Sequence, residues 1–271
     1  MRISIVGLGW LGGPLADYLL LKGFEVKGST TTADKIAKFQ KKGIRTYPFF
    51  LNPYPQGQGW EDLFLTDILV INIPPQTRTQ VEGFHLRQIK SLRSLVEKAN
   101  IPQVIFISAT SVYPDLNQEA SESDRLTAEA QGNPTLLEAE NRLWQDKSYE
   151  LTVIRLGGLL GDNRIPGLYV SNKHRVVGHA PVNYIYRKDA VRLVHWVIEK
   201  GLWNDTYNGV APFHPLRKEV YEKNAAILGF PPPASYEQPE VSPWKKISSH
   251  KLLQTGFNFL YHPLQFPYDD Q

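Results

Sequence analysis

The sequence lacks several features that would place it in whole classes of protein. It contains no cysteine, which excludes a disulfide framework, a thiolate metal site and a cysteine nucleophile. No apolar run approaches the roughly 20 residues of a membrane-spanning helix, and the N-terminus lacks the pattern of a signal peptide. The net charge of +3 is small, so nothing favours a nucleic-acid partner. These absences predict a cytoplasmic protein without membrane contact.

The remaining composition is that of a globular protein with a substantial core. Of the 271 residues, 42% are hydrophobic, which suits one large domain or one domain with a smaller appendage. The seven histidines are scattered and show no paired spacing typical of metal ligands. We therefore predict no metal site.

The N-terminus carries a glycine-rich turn between a strand pattern and a helix pattern. Residues 3–6 form a short apolar run, and Gly7-x-Gly9-x-x-Gly12 follows at once. In this context the first glycine allows a tight turn, the second lets a pyrophosphate approach the backbone, and the third lets the helix pack closely. The start of the helix offers N–H groups and a positive dipole end to phosphates. This order of elements predicts dinucleotide binding. The predicted loop consists of Gly7, Gly9, Trp10, Leu11 and Gly12.

Strand and helix patterns alternate through the first half of the chain. Strands are predicted at 24–28, 44–47, 67–73, 103–108 and 151–156, helices at 33–42, 77–99 and 134–144, and loops at 48–59 and 109–133. This alternation predicts an α/β fold with a Rossmann-type doubly wound parallel sheet. After residue 156 the pattern loosens. We predict a dinucleotide-binding domain over 1–156 and a small C-terminal substrate lobe over 157–271, with some segments returning to the first domain's core.

The end of the second predicted strand bears on which dinucleotide binds. An acid at this place usually binds the ribose 2′-OH of NAD, but residues 28–32 read Gly-Ser-Thr-Thr-Thr and no acid follows before Asp34. Hydroxyls and a nearby lysine suit a 2′-phosphate, which favours NADP over NAD. The same hydroxyls would also cap the helix predicted from residue 33, and both roles stay open. The residues predicted for this end of the site are Ser29, Thr30, Thr31 and Lys35.

Two further strand ends supply candidates for the nicotinamide and substrate side. Ligands bind at the carboxyl ends of strands in such sheets. The strand at 67–73 leads to Asn72, Ile73, Pro74 and Pro75, where the prolines would form a rigid wall. The strand at 103–108 leads to Ser108, Thr110, Ser111 and Tyr113. These four residues are our catalytic candidates, with an ordinary strand-to-loop turn as the alternative, and Ser108 is also assigned to the cofactor site.

Taken in this order, the motifs resemble those of the extended short-chain dehydrogenases/reductases, which include nucleotide-sugar epimerases and dehydratases. More narrowly, they resemble an atypical bacterial group that begins Gly-x-Gly-Trp-Leu-Gly. The matching segments span nearly the whole chain and include 67–72, 107–113, 155–161, 185–190 and 207–210. The resemblance implies an NAD(P)-dependent oxidoreductase or epimerase acting on a small or nucleotide-linked sugar-type substrate.

The catalytic residues of that family are missing from their matching positions. In active members a Tyr-x-x-x-Lys on the helix after the fifth strand moves the proton, and a Ser or Thr positions the substrate. Matching the motifs places Ala109 at the Ser position, Gly132 at the Tyr position and Leu136 at the Lys position. No choice of gaps restores the pair, because residues 114–148 contain no Tyr and residues 99–146 contain no Lys.

Two functional interpretations remain open from the sequence. The first is a slow or non-standard enzyme in which Tyr113, Tyr169 or water handles the proton, since loss of a general acid costs typically about 10²–10⁴-fold in rate. The second is a non-catalytic dinucleotide-binding sensor or interaction module, because a fold does not fix a function.

Overall fold

The computed structural model describes residues 1–75, 80–127 and 131–265. Its strands are β1 (Arg2–Val6), β2 (Glu25–Thr30), β3 (Arg45–Leu51), β4 (Pro55–Gly57), β5 (Ile68–Ile71), β6 (Gln103–Ala109), β7 (Gln118–Ala120), β8 (Glu150–Leu156), β9 (Gly158–Leu160), β10 (Tyr184–Tyr186), β11 (Asp205–Gly209) and β12 (Lys245–Ile247). Its α-helices are α1 (Gly12–Leu21), α2 (Ala33–Gln40), α3 (Phe84–Lys98), α4 (Pro134–Trp144), α5 (Arg187–Lys200), α6 (Arg217–Leu228) and α7 (His250–Gln254). Short 3-10 helices lie at Trp60–Phe64, Thr110–Val112 and Pro166–Val170.

A central sheet orders its strands as β11-β8-β6-β5-β1-β2-β3-β4. β1 pairs in parallel with β2 on one side and with β5 on the other, and the parallel pairing continues to β3 and β6. The chain therefore leaves β1 in one direction and returns to its other side at β5. In open parallel sheets a ligand crevice lies at such a switch point, at the carboxyl ends of the strands. The predicted Rossmann-type doubly wound sheet is confirmed.

Apolar periodicity explains how the sheet is covered. β5 reads Ile-Leu-Val-Ile, and all four side chains are fully buried, as in a strand covered on both faces. Ile89, Leu92 and Val96 of α3 recur at helical spacing and pack with Leu143 of α4 into one core cluster with sheet residues. α1 packs against β1 and β2.

The chain forms two compact units that interleave along the sequence. The first consists of residues 1–108, 133–154 and 194–206, and the second consists of 109–132, 155–193 and residue 207 onward. Compared with a division at residue 156, the segment 109–132 belongs to the second unit and 194–206 belongs to the first.

The segment after β2 and α2 is a hairpin where the sequence predicted a loop. β3 runs on to Leu51 and turns back as β4, which pairs with it in antiparallel fashion. Gly57 is required there, because its φ is 128° and a Cβ would lie 1.8 Å from the carbonyl oxygen of Pro48. The prolines in this stretch suggested a loop. Pro53 lies in the turn, and Pro55 is tolerated because it is the first residue of β4, the edge strand of the sheet.

Two other boundaries differ from the predictions. α3 begins at Phe84, because Gly83 before it has a φ of 71° in the left-handed region. The predicted start at residue 77 lies outside the described residues, and residues 80–83 are not helical. In the predicted loop at 109–133, β7 pairs in parallel with β12.

Candidate functional site

The glycine loop joins β1 to α1 in a conformation that needs two of its glycines. Gly7 has a φ of 107°, and a Cβ there would lie 2.4 Å from the carbonyl oxygen of Asn72. A Cβ on Gly12 would lie 2.1 Å from the carbonyl oxygen of Gly7, so α1 packs directly on the loop. Gly9 is different, because none of the described residues other than its two chain neighbours places an atom within 4 Å of its Cβ position. The space beside Gly9 is therefore open to a ligand.

Two polar side chains from the neighbouring strands hold this loop. At the end of β2, the Ser29 hydroxyl accepts a hydrogen bond from the Gly7 N–H at 3.1 Å, and its carbonyl accepts one from the Leu8 N–H at 2.7 Å. From the β5 side, the Asn72 amide Nδ2 donates to the Gly7 carbonyl at 3.0 Å. Both side chains therefore serve the loop itself, a role that the sequence did not reveal.

A cleft of about 460 Å³ opens beside the loop, at the carboxyl ends of β1, β2, β3 and β5. This volume lies within the range of small-molecule sites. The sequence-predicted residues that line it are Gly7, Gly9, Ser29, Thr30, Thr31, Lys35, Asn72, Ile73 and Pro74. The predicted residues Trp10, Leu11, Gly12, Pro75 and Ser108 are not among its lining residues. Leu11 and Ser108 are 5% and 4% exposed, so their side chains are too buried to form a ligand surface.

The cleft has an electrostatic character that suits an anion. Its described lining residues include one charged side chain, Lys35, and no carboxylate. Thr31 and Lys35 are exposed at its edge. No side chain caps the N-terminus of α1, and its first turn holds no acidic residue. The Gly13 N–H donates to the Gly9 carbonyl at 3.0 Å and Pro14 has no N–H, so it is chiefly the positive end of the helix dipole that favours a negatively charged group here.

The structure does not support the alternative role, in which the hydroxyl side chains at the end of β2 cap α2. α2 begins after Thr32, which makes no side-chain cap hydrogen bond. The Thr30 hydroxyl instead accepts from the Thr32 N–H at 3.2 Å, which shapes the turn before the helix rather than capping it.

Sequence reasoning missed one wall of the cleft. It is formed by the end of β3 and by the residues at the start of α3, namely Phe49, Phe50, Leu51, Asn52, Gln80, Phe84 and Gln88. The Gln88 amide Nε2 donates to the carbonyl oxygen of Leu51 at 2.8 Å and ties the two parts together. The aromatic pair at 49–50 is a strand signal, but the surrounding prolines obscured it.

The four catalytic candidates have different surroundings. The Ser108 hydroxyl donates to Glu140 Oε1 at 2.5 Å, and both residues are buried. Thr110 is 7% exposed, whereas Ser111 is exposed.

Tyr113 is fully buried in the second unit. Its hydroxyl donates to Asn208 Oδ1 at 3.0 Å and accepts from Arg155 at 2.7 Å. Burial raises the pKa of Tyr113 above its usual value of 10, against an opposing effect of Arg155. The phenol is therefore held neutral inside the protein, where it joins a structural network and presents no surface to a substrate.

The positions matched to the family's Tyr and Lys hold residues with clear structural roles. A Cβ on Gly132 would lie 2.3 Å from the Tyr113 carbonyl oxygen and 2.4 Å from that of Ser111. Leu136 is a buried residue of α4, which begins only at Pro134 after the N-cap Asn133. Position 132 thus precedes the helix and has no room for a side chain unless the backbone shifts.

Within the described residues, no group of three or more His, Cys, Asp or Glu side chains is arranged to hold a metal ion. Over the same ranges, no helix has the length and apolarity that crossing a membrane requires.

Comparison with solved structures gives the class of the fold. A UDP-glucuronic acid 4-epimerase from Bacillus cereus, in complex with UDP-glucuronic acid and NAD, aligns with a TM-score of 0.77 at 16% identity, covering 97% of this chain and 96% of that chain. A short-chain dehydrogenase/reductase superfamily protein from Agrobacterium tumefaciens with bound NAD aligns with a TM-score of 0.76 at 14% identity, covering 97% and 94%. At such low identities the likeness shows a common fold, that of the extended short-chain dehydrogenases/reductases.

Sequence comparison is more specific. Protein YeeZ of Escherichia coli K12 is 30% identical over 270 residues, which cover 98% of each protein. The chain belongs to the family of Protein YeeZ and has the extended short-chain dehydrogenase/reductase fold. No protein-family model matches the chain.

Proposed function

We propose that the protein binds a nicotinamide dinucleotide in the cleft beside the glycine loop, and that it binds NADP(H) in preference to NAD(H). The observation that carries the proposal is the open space at Gly9, beside a helix N-terminus that no side chain caps. A pyrophosphate needs close backbone approach and N–H donors at this place. The NAD named with the two solved structures above supports a dinucleotide as the ligand.

The preference for NADP(H) rests on the end of β2. Thr31 and Lys35 line the cleft there and are exposed, while its described lining contains no carboxylate to bind a ribose 2′-OH. Ser29 contributes less than the sequence indicates, because its hydroxyl already accepts from Gly7. A 2′-phosphate would therefore be recognised chiefly by Thr31 and Lys35.

We further propose that the protein does not use the family's proton transfer. A bound nicotinamide dinucleotide would supply a hydride donor or acceptor. The chain's own residues provide no Tyr-x-x-x-Lys on α4, and the hydroxyls of Ser108 and Tyr113 are engaged inside the protein. Dinucleotide binding without the usual acid-base chemistry is the function that this geometry supports best.

Fluorescence titration with NADPH and NADH tests the binding proposal. We expect micromolar affinity for NADPH and weaker binding of NADH. Lys35→Ala should weaken the binding of NADPH about fivefold, because an exposed charge pair typically contributes ~1 kcal/mol. The affinity for NADH should not change. Lys38→Ala removes the same charge from the same helix but not from the cleft, and should change neither affinity.

Three results would contradict the proposal. If neither nucleotide binds below about millimolar, the cleft is not a dinucleotide site. Tighter binding of NADH than of NADPH would reverse the cofactor preference. Steady oxidation of NADPH with a keto-sugar nucleotide, at rates normal for enzymes of about 1–10³ s⁻¹, would show that proton transfer has been retained by other means.

A further inference from the structure

The β3 wall of the cleft presents one aromatic ring to solvent. Phe49 is 2% exposed and Leu51 is 7% exposed, because both pack into the core. Side chains alternate along a strand, so Phe50 between them faces away from that core. It is 41% exposed and lines the cleft. A flat apolar group bound here would cover a ring that otherwise contacts water.

The place of Phe50 in the sheet identifies which part of a dinucleotide would reach it. The glycine loop follows β1 and would take the pyrophosphate, and the end of β2 would take the adenosine ribose. β3 is the next strand in the same direction, with Pro48 opposite Thr30 at the end of the pairing. Phe50 lies two residues beyond that pair. The base is the next group of the ligand after the adenosine ribose, so it would lie beside Phe50.

We propose that the ring of Phe50 is the stacking platform for the adenine of the dinucleotide and makes this end of the cleft selective for an aromatic base. The inference rests on the proposed function, because it takes the cleft to be the dinucleotide site. An aromatic side chain that offers one face to a base is a common source of nucleotide affinity.

The backbone beneath Phe50 is held from several directions. β4 pairs with β3 across this residue. Gln88 donates to the carbonyl oxygen of Leu51 at 2.8 Å. On the other side, the ring of Phe49 lies 5.1 Å from that of Trp60 between centroids. The backbone that carries the Phe50 ring therefore has a fixed position in the cleft wall.

The test uses NADPH and 2′,5′-ADP, which carries the adenosine half alone. Phe50→Ala should weaken both ligands by the same factor, about tenfold, because the lost contact lies in the half that they share. Tyr54→Ala is the matched control, since Tyr54 is 66% exposed on the same hairpin but does not line the cleft. Phe50→Trp should retain affinity, and its added emission should be quenched when 2′,5′-ADP binds.

Several outcomes overturn the inference. It fails if Phe50→Ala binds 2′,5′-ADP as the wild type does, if Tyr54→Ala weakens binding equally, or if the emission added by Phe50→Trp is unchanged by the ligand. Failure of the proposed function is distinguishable, because the wild type would then bind neither NADPH nor 2′,5′-ADP, and both proposals would fall together.

Discussion

Substitution of Gly9 by alanine separates the binding role of the glycine loop from its structural role. Apart from the two chain neighbours of Gly9, no described residue has an atom within 4 Å of its Cβ position, and its φ lies outside the left-handed region. Replacing glycine in an unstrained conformation stabilises a protein by about 0.4–1 kcal/mol through the unfolded state. We therefore expect Gly9→Ala to keep or slightly raise the melting temperature of the free protein.

Binding should change in the opposite direction. The added methyl group would occupy the space in which a phosphate approaches the backbone. Loss of one charge-assisted hydrogen bond costs about 1.5–3 kcal/mol, which corresponds to roughly tenfold to a hundredfold in dissociation constant. We expect this loss for NADPH and NADH alike, because the pyrophosphate is common to both.

Gly12→Ala is the contrasting variant, since its Cβ would lie 2.1 Å from the carbonyl oxygen of Gly7. It should lower the melting temperature as well as the affinity. Differential scanning fluorimetry and fluorescence titration on the three proteins are the assays. The reasoning is refuted if Gly9→Ala binds NADPH like the wild type, or if it destabilises the free protein as much as Gly12→Ala does.

Three other predictions concern residues in and around the two units. Ser29→Ala removes the acceptor for the Gly7 N–H and should weaken NADPH and NADH equally; selective loss of NADPH in a titration would instead make Ser29 a phosphate ligand. Gly132→Tyr should lower the free energy of unfolding by about 2 kcal/mol or more, because overpacking strains the backbone, and a urea melt like that of the wild type would contradict this. Asp62→Asn should lower the free energy of unfolding by about 2 kcal/mol at neutral pH, because the buried ammonium of Lys27 loses its carboxylate partner. This figure is already discounted for the 34% exposure of Asp62. The Tyr47 hydroxyl and then Lys27 lower the pKa of Asp62 below 3.8. Its contribution is therefore present above that value, and the difference between the two proteins in pH-dependent melts should shrink as the pH falls below it; a constant difference would refute the assignment.

The sequence predicted the first half of the sheet well, because each signal there is local. The run at β5 and the helical spacing of Ile89, Leu92 and Val96 are set by neighbours in the chain. The hairpin at β3 and β4 escaped prediction, since its prolines are loop signals in a sequence, and the edge position that admits Pro55 is known only from the order of the strands.

The candidate site was partly predictable for the same reason. The glycine motif can be recognised in the sequence, and the hydroxyl residues at the end of β2 form a short run that is also recognisable there. What Ser29 and Asn72 do depends on contacts with Gly7 over 22 and 65 positions of sequence, which no local pattern encodes. The close approach of Gly132 to the carbonyl of Tyr113 is likewise visible only in three dimensions.

The two hydrogen bonds that hold Gly7 have a consequence for the energetics of binding. A loop that a ligand must order gives up about 1–2 kcal/mol of conformational entropy per residue at that moment. Here Ser29 and Asn72 impose the shape from the scaffold, so that cost is met during folding and not during association. The loop should therefore superpose in ligand-free and ligand-bound crystals, and fast association should accompany whatever affinity the cleft provides.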